Sequence, residues 1–472
     1  MILRISIQCL GPVAHYEFDL EKNFHLIVGK NSVGKSYAIT VVYLILKTIL
    51  GWDPRGFFSA VSIDELTDDS ILAEAAGELA SVEYSQDLSA NSAVQRAFQH
   101  ILDVFFLDQL QASIEGSFES LDSLTTQYSQ SELDIRIASR DCQFSIALAE
   151  NRLCIRNISL TNNYLARGVK TNRSNANLRD GRFLYHNLDD PKHIKSSLIQ
   201  EAYYLLSGVA NEVFSHCLSI HYLPASRSGL YQALSAFGQI VAELSRSRTF
   251  IKQRIDLPNI SEPVSDYFLK LSNVEVKTAQ YTASPLNQVA TSIEKEILNG
   301  EVEFDSRTKR MMFKPSNTNL RLDLAFASSM VSELSPIVTY LRHILTEPVK
   351  RSFVARRRQT TSKAMIIIEE PEAHLHPEVQ VKLVEQFAAL AALGVKVVLT
   401  SHSNFVFNKV SNLVITGALP VDFVAATLFE MKSAGSNGRA LMVDQYGIDD
   451  ENFVETAEAL FMEKTEALTG DA

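Results

Sequence analysis

Acidic and imidazole side chains crowd together in the stretch MIIIEEPEAHLHP, residues 365–377. Four apolar residues run into Glu369 and Glu370, and His374 and His376 follow. Carboxylates and imidazoles together are the ligands of zinc and di-iron enzymes. Two carboxylates at the end of a buried strand also suit the magnesium site of a nucleotide-hydrolysing protein. These residues alone leave both kinds of chemistry open.

The stretch GKNSVGKS favours the second kind. It matches the phosphate-loop pattern G-x-x-x-x-G-K-[ST], follows the apolar run FHLIV and precedes an apolar helical pattern. Glycines at both ends let successive backbone N–H groups point at phosphate, and the following helix presents its positive end to the same anion. Lys35 would reach the terminal phosphates and Ser36 would bind magnesium. The predicted ATP-binding residues of this loop are Gly29, Lys30, Asn31, Ser32, Val33, Gly34, Lys35 and Ser36.

We then predict that the carboxylates of Glu369 and Glu370 lie beside the phosphates. We expect Glu369 to bind Mg²⁺, and Glu370 to orient or deprotonate the attacking water. Magnesium prefers carboxylate and phosphate oxygens to imidazoles, so His374 and His376 are predicted to be loop and interface residues. His402 ends the next apolar strand pattern, VVLTSHS, where it can hydrogen-bond the γ-phosphate and respond to its loss. The alternative for His402 is a capping or core histidine.

Strand and helix patterns alternate at both ends of the chain but not in its long middle, which predicts an α/β fold with insertions. Near the C-terminus, NLVITG and RALMVDQYG are predicted to be short strands, and an acidic helix is predicted after Asp449. The predicted parts are a discontinuous head of residues 1–51, 218–230 and 300–472, a helical insertion at 52–131, an antiparallel β meander at 132–161, a loop and helix at 162–217 and a second helical insertion at 231–299.

The composition is that of a soluble globular protein, with 46% hydrophobic and 21% charged residues among 472. No apolar run reaches the ~18 residues that a membrane span needs. The start, MILRISIQCL, lacks the layout of a signal peptide. The four cysteines show neither disulfide nor metal-site spacing. We therefore expect a cytoplasmic protein with no membrane partner.

The formal net charge of −11 argues against a protein whose entire surface attracts nucleic acid. Two basic clusters leave local DNA contact open, although solvated loops are the simpler interpretation. The first cluster comprises Arg167, Lys170, Arg173, Arg179 and Arg182, and the second Lys350, Arg351, Arg356, Arg357 and Arg358.

Together these motifs resemble those of ABC-type ATPases, in particular the soluble SMC-like and OLD-like clade. GKNSVGKS resembles the Walker A motif, MIIIEEPE the Walker B motif and EAHLHP the D-loop, and His402 stands at the switch histidine. YLPASR at 222–227 resembles a strand-end motif of this clade, which makes Arg227 a candidate for nucleotide contact. The resemblance covers about residues 1–50, 218–230 and 300–460. It implies an ABC-type P-loop head, with a mixed sheet, an antiparallel β subdomain and large helical insertions, that uses ATP and Mg²⁺.

The stretch ASSMVSEL resembles the signature motif of the clade, with one departure. Ser328 and Ser329 match it, but Met330 stands where glycine is expected. In this family the signature of one subunit contacts the γ-phosphate bound to the other. The resemblance therefore implies a homodimer, or a multiple of one, that sandwiches ATP. Because a methionine side chain crowds a backbone approach that glycine allows, we expect slow hydrolysis.

A head of this kind with a large helical insertion resembles the ATPase subunits of bacterial anti-phage systems. In Septu the partner of the ATPase is an HNH nuclease, and in PARIS it is a Toprim nuclease. The resemblance implies an ATP-hydrolysing sensor and scaffold that restrains or activates a separate effector nuclease in response to a phage trigger protein or DNA. A RecF-like repair ATPase that binds duplex DNA directly is the alternative. The nucleotide-binding subunit of a transporter is a third, disfavoured by the EEPE sequence and the insertions.

Overall fold

The chain divides into two compact units in the computed structural model. Unit 1 comprises Met1–Glu21, Tyr37–His216 and Lys432–Ser436, and unit 2 comprises Lys22–Ser36, Cys217–Met431 and Asn437–Ala472. No helix in the part of the chain that the structure describes is long and apolar enough to cross a membrane. The described residues are 3–51, 69–82, 86–161, 164–168, 182–186, 191–225, 227–233, 260–274, 276, 284–305, 310–346, 363–449 and 454–469.

The named strands and helices run in chain order as follows. The strands are β1 (Arg4–Leu10), β2 (Val13–Asp19), β3 (Phe24–Gly29), β4 (Asp134–Ala138), β5 (Cys142–Ala149), β6 (Arg152–Leu160), β7 (Tyr164–Gly168), β8 (Arg182–His186), β9 (Ser219–Leu223), β10 (Gly300–Asp305), β11 (Arg310–Pro315), β12 (Leu322–Asp323), β13 (Ala364–Glu369), β14 (Lys396–Ser401), β15 (Val424–Lys432), β16 (Gly435–Leu441), β17 (Val443–Asp444) and β18 (Gly447–Ile448). The helices are α1 (Lys35–Gly51), α2 (Ser70–Leu79), α3 (Ser92–Leu102), α4 (Asp108–Phe118), α5 (Pro191–His216), α6 (Glu262–Ser272), α7 (Pro285–Ser292), α8 (Ser329–Thr339), α9 (Pro377–Ala392), α10 (Asn404–Ile415) and α11 (Val454–Thr469).

Unit 1 contains five antiparallel strands in the order β6-β5-β4-β1-β2. Apolar and polar residues alternate along β1, so that Ile5 and Ile7 are buried while Arg4 is exposed. Helix α3 packs against β6 with an apolar face. Its N-cap is Asn91, whose side chain accepts hydrogen bonds from two N–H groups of the first turn. Burial of these apolar faces builds a core in this unit.

Unit 2 is built around five parallel strands in the order β15-β3-β14-β13-β9. The segments FHLIVG, AMIIIE and KVVLTS are buried at every position. Continuous burial is expected of strands covered on both faces, as parallel strands are. The carboxyl ends of β3, β13, β14 and β9 meet at one edge, where ligands bind in open parallel sheets.

One local prediction is wrong. Residues 412–415 of NLVITG, predicted to be a strand, lie at the end of α10. Buried Val406, Val410 and Val414 recur at helical spacing, and Ser403 caps the helix by accepting hydrogen bonds from two N–H groups. A six-residue apolar run is too short to distinguish the two-residue period of a strand from the 3.6-residue period of a helix. The longer apolar pattern of α10 has helical spacing, and the segment is part of that helix.

The predicted α/β class is confirmed. Parallel strands with intervening helices make up the centre of unit 2, and the antiparallel strands β6-β5-β4-β1-β2 lie in unit 1 together with the parallel pair β7-β8. The predicted boundaries between head and insertions stay a prediction; the two compact units divide the chain at other residues.

Candidate active site

The phosphate loop connects the end of β3 to the start of α1. Gly29 has φ +144° and Gly34 has φ +87°, values that favour glycine. A Cβ atom on Gly29 would overlap the main-chain carbonyl oxygen of Phe429 on β15. Val33 is buried, whereas the other residues between the two glycines are exposed. The loop is therefore anchored at its glycines and its valine and presents its backbone to an anion.

Lys35, the first residue of α1, is buried with its ammonium group turned to the loop. Its Nζ donates hydrogen bonds to the carbonyl oxygens of Gly29 at 3.0 Å and Lys30 at 2.9 Å. Burial lowers the pKa of Lys35 to about 8, against the opposing effect of the carboxylates of Glu370, Glu372 and Glu369. A buried ammonium group at a helix N-terminus lacks the hydration that it would have in water. The negative charges of a polyphosphate would compensate for that loss.

Glu369 is the last residue of β13 and is largely buried. Its Oε2 accepts a hydrogen bond from the N–H of Ala225 at 3.4 Å. Its Oε1 is buried and has no hydrogen-bond partner among the described residues. A buried carboxylate oxygen needs a partner, and a hard divalent cation provides one. The donor set fits Mg²⁺ held by Glu369 together with the hydroxyl of Ser36, which is exposed beside Lys35.

Glu370 follows directly and has a strained backbone, with φ +43°. Its N–H donates to the carbonyl oxygen of Thr400 on β14 at 3.0 Å. Its Oε1 lies 3.2 Å from Nε2 of His402. The hydrogen bond to His402 is the largest cause that lowers the pKa of Glu370; burial opposes it, and the positive charges of Lys35 and Arg227 lower the pKa further. The side chain is therefore a carboxylate at neutral pH, 41% exposed and able to accept a proton.

His402 connects the carboxylate to the lysine. Its Nε2 lies 3.2 Å from Nζ of Lys35 as well as 3.2 Å from Oε1 of Glu370. Its main-chain N–H donates to Oε1 of Glu372 at 2.6 Å, and Oγ of Ser401 donates to the same oxygen at 2.8 Å. The structure thus brings three predicted site residues together and adds Glu372, which the sequence patterns did not identify. The only sequence signal for it is a third acid just after a strand that already ends in two.

Arg227, predicted to contact the nucleotide, has a fully buried side chain. It donates hydrogen bonds to the carbonyl oxygens of Glu369 at 2.9 Å and Glu370 at 3.4 Å. Its Nε lies 3.4 Å from Oε2 of Glu333 on α8. Direct contact with nucleotide stays a prediction. The sequence patterns did not identify Glu333 either, although a single acid within the apolar pattern of SMVSELSPIVT is a signal for a buried partner.

The predicted signature residues lie at the start of α8. Ser328 is its N-cap, with Oγ accepting a hydrogen bond from the N–H of Val331 at 3.4 Å, and Ser329 is its first residue. Both are exposed. Met330 is partly buried and packs against the core of unit 2. Their contact with a nucleotide on a second subunit stays a prediction.

His374 and His376 follow the acidic strand end. His374 has φ +61° in the turn after β13, and His376 is the N-cap of α9 and accepts a hydrogen bond from the N–H of Glu378 through Nδ1 at 3.4 Å. Within the described residues, no group of three or more His, Cys, Asp or Glu side chains could hold a metal ion by itself. The second basic cluster and most of the first lie outside the described residues.

Comparisons with solved structures find low similarity to SMC head domains. A structure titled as the SmcHead bound to the C-winged helix domain of ScpA has 9% sequence identity and a TM-score of 0.39, with 93% of this chain and 98% of that chain covered. The SMC head domain from Thermotoga maritima has 10% identity and a TM-score of 0.34, with 94% and 100% covered. Similarity at this level does not bear on function. No curated protein matches the chain.

The chain also matches a protein-family model. The model of the AAA ATPase domain designated AAA_15 matches residues 1–407, which include the phosphate loop, Glu369, Glu370 and His402. By this match over most of its length, the chain belongs to the AAA_15 family of AAA ATPase domains.

Proposed function

We propose that unit 2 binds ATP and Mg²⁺ at the ends of its parallel strands and hydrolyses the ATP. The observation that carries this proposal is the position of His402, whose Nε2 lies 3.2 Å from Nζ of Lys35 and 3.2 Å from Oε1 of Glu370. A phosphate-binding ammonium group and an ionised carboxylate therefore meet at one imidazole. Hydrolysis of the terminal phosphoanhydride bond of ATP needs a phosphate-binding cation and a proton acceptor within hydrogen-bond reach of one site.

Each side chain then has one role. Lys35 binds the terminal phosphates, and Glu370 orients the attacking water and accepts its proton. Mg²⁺, held by Ser36 and Glu369, would supply neutralisation of phosphate charge. A phosphate bound to Lys35 would compete with His402 for the ammonium protons, so the position of His402 depends on the nucleotide.

We further propose that two copies of the chain sandwich ATP through the N-terminus of α8. Ser328 and Ser329 are exposed there, at the positive end of a helix. Phe326, just before them, is 80% exposed, and Leu320 is 53% exposed. An exposed aromatic side chain just before the positive end of a helix supports burial of this end against a second subunit. Nucleotide at such an interface contributes to association, and hydrolysis removes that contribution.

The biological role that we propose is that of a sensor and scaffold in an anti-phage defence system, which restrains or activates a separate effector nuclease of the HNH or Toprim kind. Its support is the resemblance of the sequence motifs to the ATPase subunits of such systems. A trigger protein or DNA would shift the ATP-dependent equilibrium between assemblies. A repair ATPase that binds duplex DNA by itself is the competing outcome.

The test is the composition and native mass of the complex. The gene is expressed with its neighbours, the tagged chain is purified as Glu370→Gln with ATP, and the mass is measured by light scattering. We expect an assembly with an even number of copies and a second protein in fixed ratio. Lys35→Ala is the matched control, and we expect it to lose the ATP-dependent association.

Two results would count against the proposal. A bare chain whose mass does not change with ATP contradicts the sandwich. Association that appears only on duplex DNA and weakens steeply with salt identifies the repair ATPase instead.

A further inference from the structure

A buried ion pair, Arg227–Glu333, lies against the main chain of Glu369 and Glu370. The side chain of Arg227 is 0% exposed and that of Glu333 is 2% exposed. Nε of Arg227 lies 3.4 Å from Oε2 of Glu333 and donates to the main-chain carbonyl of the same residue at 3.1 Å. Because desolvating two charges is costly, such a pair is weak evidence for added stability. Its other contacts indicate a different role.

The two Nη nitrogens of the guanidinium group donate hydrogen bonds to main-chain carbonyls at the carboxyl ends of β9 and β13. Nη1 donates to the carbonyl oxygen of Glu369 at 2.9 Å and to that of Pro224 at 3.4 Å, and Nη2 donates to that of Glu370 at 3.4 Å. Glu370 is the residue with φ +43°. A non-glycine residue keeps such a backbone only where surrounding contacts impose it. The rigid fork of arginine can bind several carbonyls at once.

The other end of the ion pair belongs to α8, the helix whose N-cap is Ser328. Glu333 lies in the second turn of α8, and its Oε1 accepts a hydrogen bond from Oγ of Ser228 at 2.5 Å. The carbonyl of Arg227 accepts a hydrogen bond from Tyr267 at 3.0 Å, so the main chain of the arginine is held as well. A displacement of α8 would therefore move the guanidinium and the carbonyls that it binds.

We propose that Arg227 is a positioning residue that links the N-terminal end of α8 to the backbone of Glu370, and that it acts on hydrolysis without touching the nucleotide. This inference rests on the proposed ATPase function. Through this link, contact between α8 and a bound nucleotide sets the direction of the Glu370 carboxylate toward His402. Hydrolysis is thereby coupled to closure of the assembly.

The test separates binding from turnover. Arg227→Lys keeps a positive charge beside Glu333 but replaces the planar fork, whose separate nitrogens reach the three strand-end carbonyls, with a single ammonium group. Glu333→Gln keeps an acceptor for Ser228 but loses the charge. For both we expect kcat to fall about 10- to 100-fold while the Kd of ATP changes less than about threefold. The matched control is Arg342→Lys, which alters a second Arg–Glu pair of unit 2, in which the partly buried Arg342 donates hydrogen bonds to Glu294 and to the carbonyl oxygen of Val302 instead of the strand-end carbonyls. We expect it to lower Tm and leave kcat unchanged.

A double-mutant cycle with Glu370→Gln gives a readout that a merely structural role would not move. If Arg227 acts through Glu370, Arg227→Lys has little further effect on the residual turnover of Glu370→Gln. Independent effects of the two substitutions overturn the proposal, and so does a tenfold rise in the Kd of ATP. Rates are normalised to the ATP-binding stoichiometry, so misfolded protein is excluded. If wild type does not hydrolyse ATP, the proposed function fails; if Arg227→Lys and Glu333→Gln turn over like wild type, only this inference fails.

Discussion

Oε1 of Glu370 lies 3.2 Å from Nε2 of His402, although the two residues follow different strands and are separated by helix α9. The parallel pairing of β13 with β14 places Glu369 opposite Thr400 and so brings the residues after both strands to the same edge. The contact depends on strand register, because a slip of one residue would turn each side chain to the other face.

Replacing the carboxylate of Glu370 with an amide should separate ATP binding from hydrolysis. Glu370→Gln removes the group that accepts a proton and keeps its size, so we expect turnover to fall about 10²- to 10⁴-fold. The Kd of ATP should stay near that of wild type, because the phosphate ligands are intact. Phosphate release and equilibrium binding measure the two quantities. Turnover at the wild-type rate would show that another group activates the water.

ATP affinity should decrease as the pH rises through about 8. Burial, the largest cause, lowers the pKa of Lys35 to about 8, so the nucleotide-free protein loses its ammonium charge above that pH. We expect the Kd of a non-hydrolysable ATP analogue to rise by up to about tenfold per pH unit there. Lys35→Arg, which stays protonated, should show a flat profile. A flat profile in wild type would contradict the assignment.

The same pKa has a consequence for stability, with the opposite sign. The unfolded chain, with the ordinary value of 10.5, binds more protons than the folded protein between pH 8 and pH 10.5. The contribution of Lys35 to the free energy of unfolding therefore rises with pH through that window. Denaturant midpoints of wild type minus those of Lys35→Met, measured across this range, should show this rise. A difference that falls with pH would be inconsistent with a lowered pKa.

Substitution of Glu372 should lower both stability and turnover. Its Oε1 accepts hydrogen bonds from Ser401 and from the N–H of His402, so Glu372→Ala leaves those donors without a partner. We expect a loss of about 1–3 kcal/mol in the free energy of unfolding, and lower turnover as His402 moves. Glu372→Gln, which keeps the acceptor, should lose less stability. Its missing charge should also shift the pH profile of ATP binding to lower pH, because Glu372 raises the pKa of Lys35.

Gly29→Ala tests whether the phosphate loop needs glycine at its first position. Gly394→Ala, at a glycine with open space around it, is the control. A methyl group at Gly29 would overlap the carbonyl of Phe429, whereas one at Gly394, with φ +84°, would meet nothing within 4 Å. We expect Gly394→Ala to cost about 1 kcal/mol from backbone strain alone and to bind ATP normally. Gly29→Ala should lower Tm further and weaken ATP binding at least tenfold. Equal effects of the two substitutions on ATP binding would mean that the close approach at Gly29 is not needed.

Met330→Gly should raise turnover. Met330 is the second residue of α8 and is partly buried against the core of unit 2. Glycine would remove a side chain next to Ser328 and Ser329 at a cost of about 1 kcal/mol in helix stability. Turnover per ATP-binding site is the measurement, with Met330→Ala expected to be intermediate. An unchanged or abolished rate in folded protein would show that the signature motif has been placed incorrectly.

Local sequence was sufficient for much of the fold. The runs FHLIV, MIIIE and KVVLTS predicted strands, and the structure buries each of these strands at every position, as is typical of strands covered on both faces. The same reasoning failed at NLVITG, where a short apolar run belongs to α10. The phosphate loop was predictable because Gly29 and Gly34 adopt positive φ values that glycine accommodates without strain, which ties these positions to one residue type.

Local sequence thus indicated the chemistry of the site. It comprises a phosphate loop, an acidic strand end and a histidine strand end, each specified by neighbouring residues. Which side chains support these groups depends on the fold. The contact of Glu372 with Ser401 and His402, and that of Arg227 with Glu333, join residues 29 or more positions apart. Strand order and helix packing set these distances, because the free energy of burial depends on the whole core and no local pattern records it.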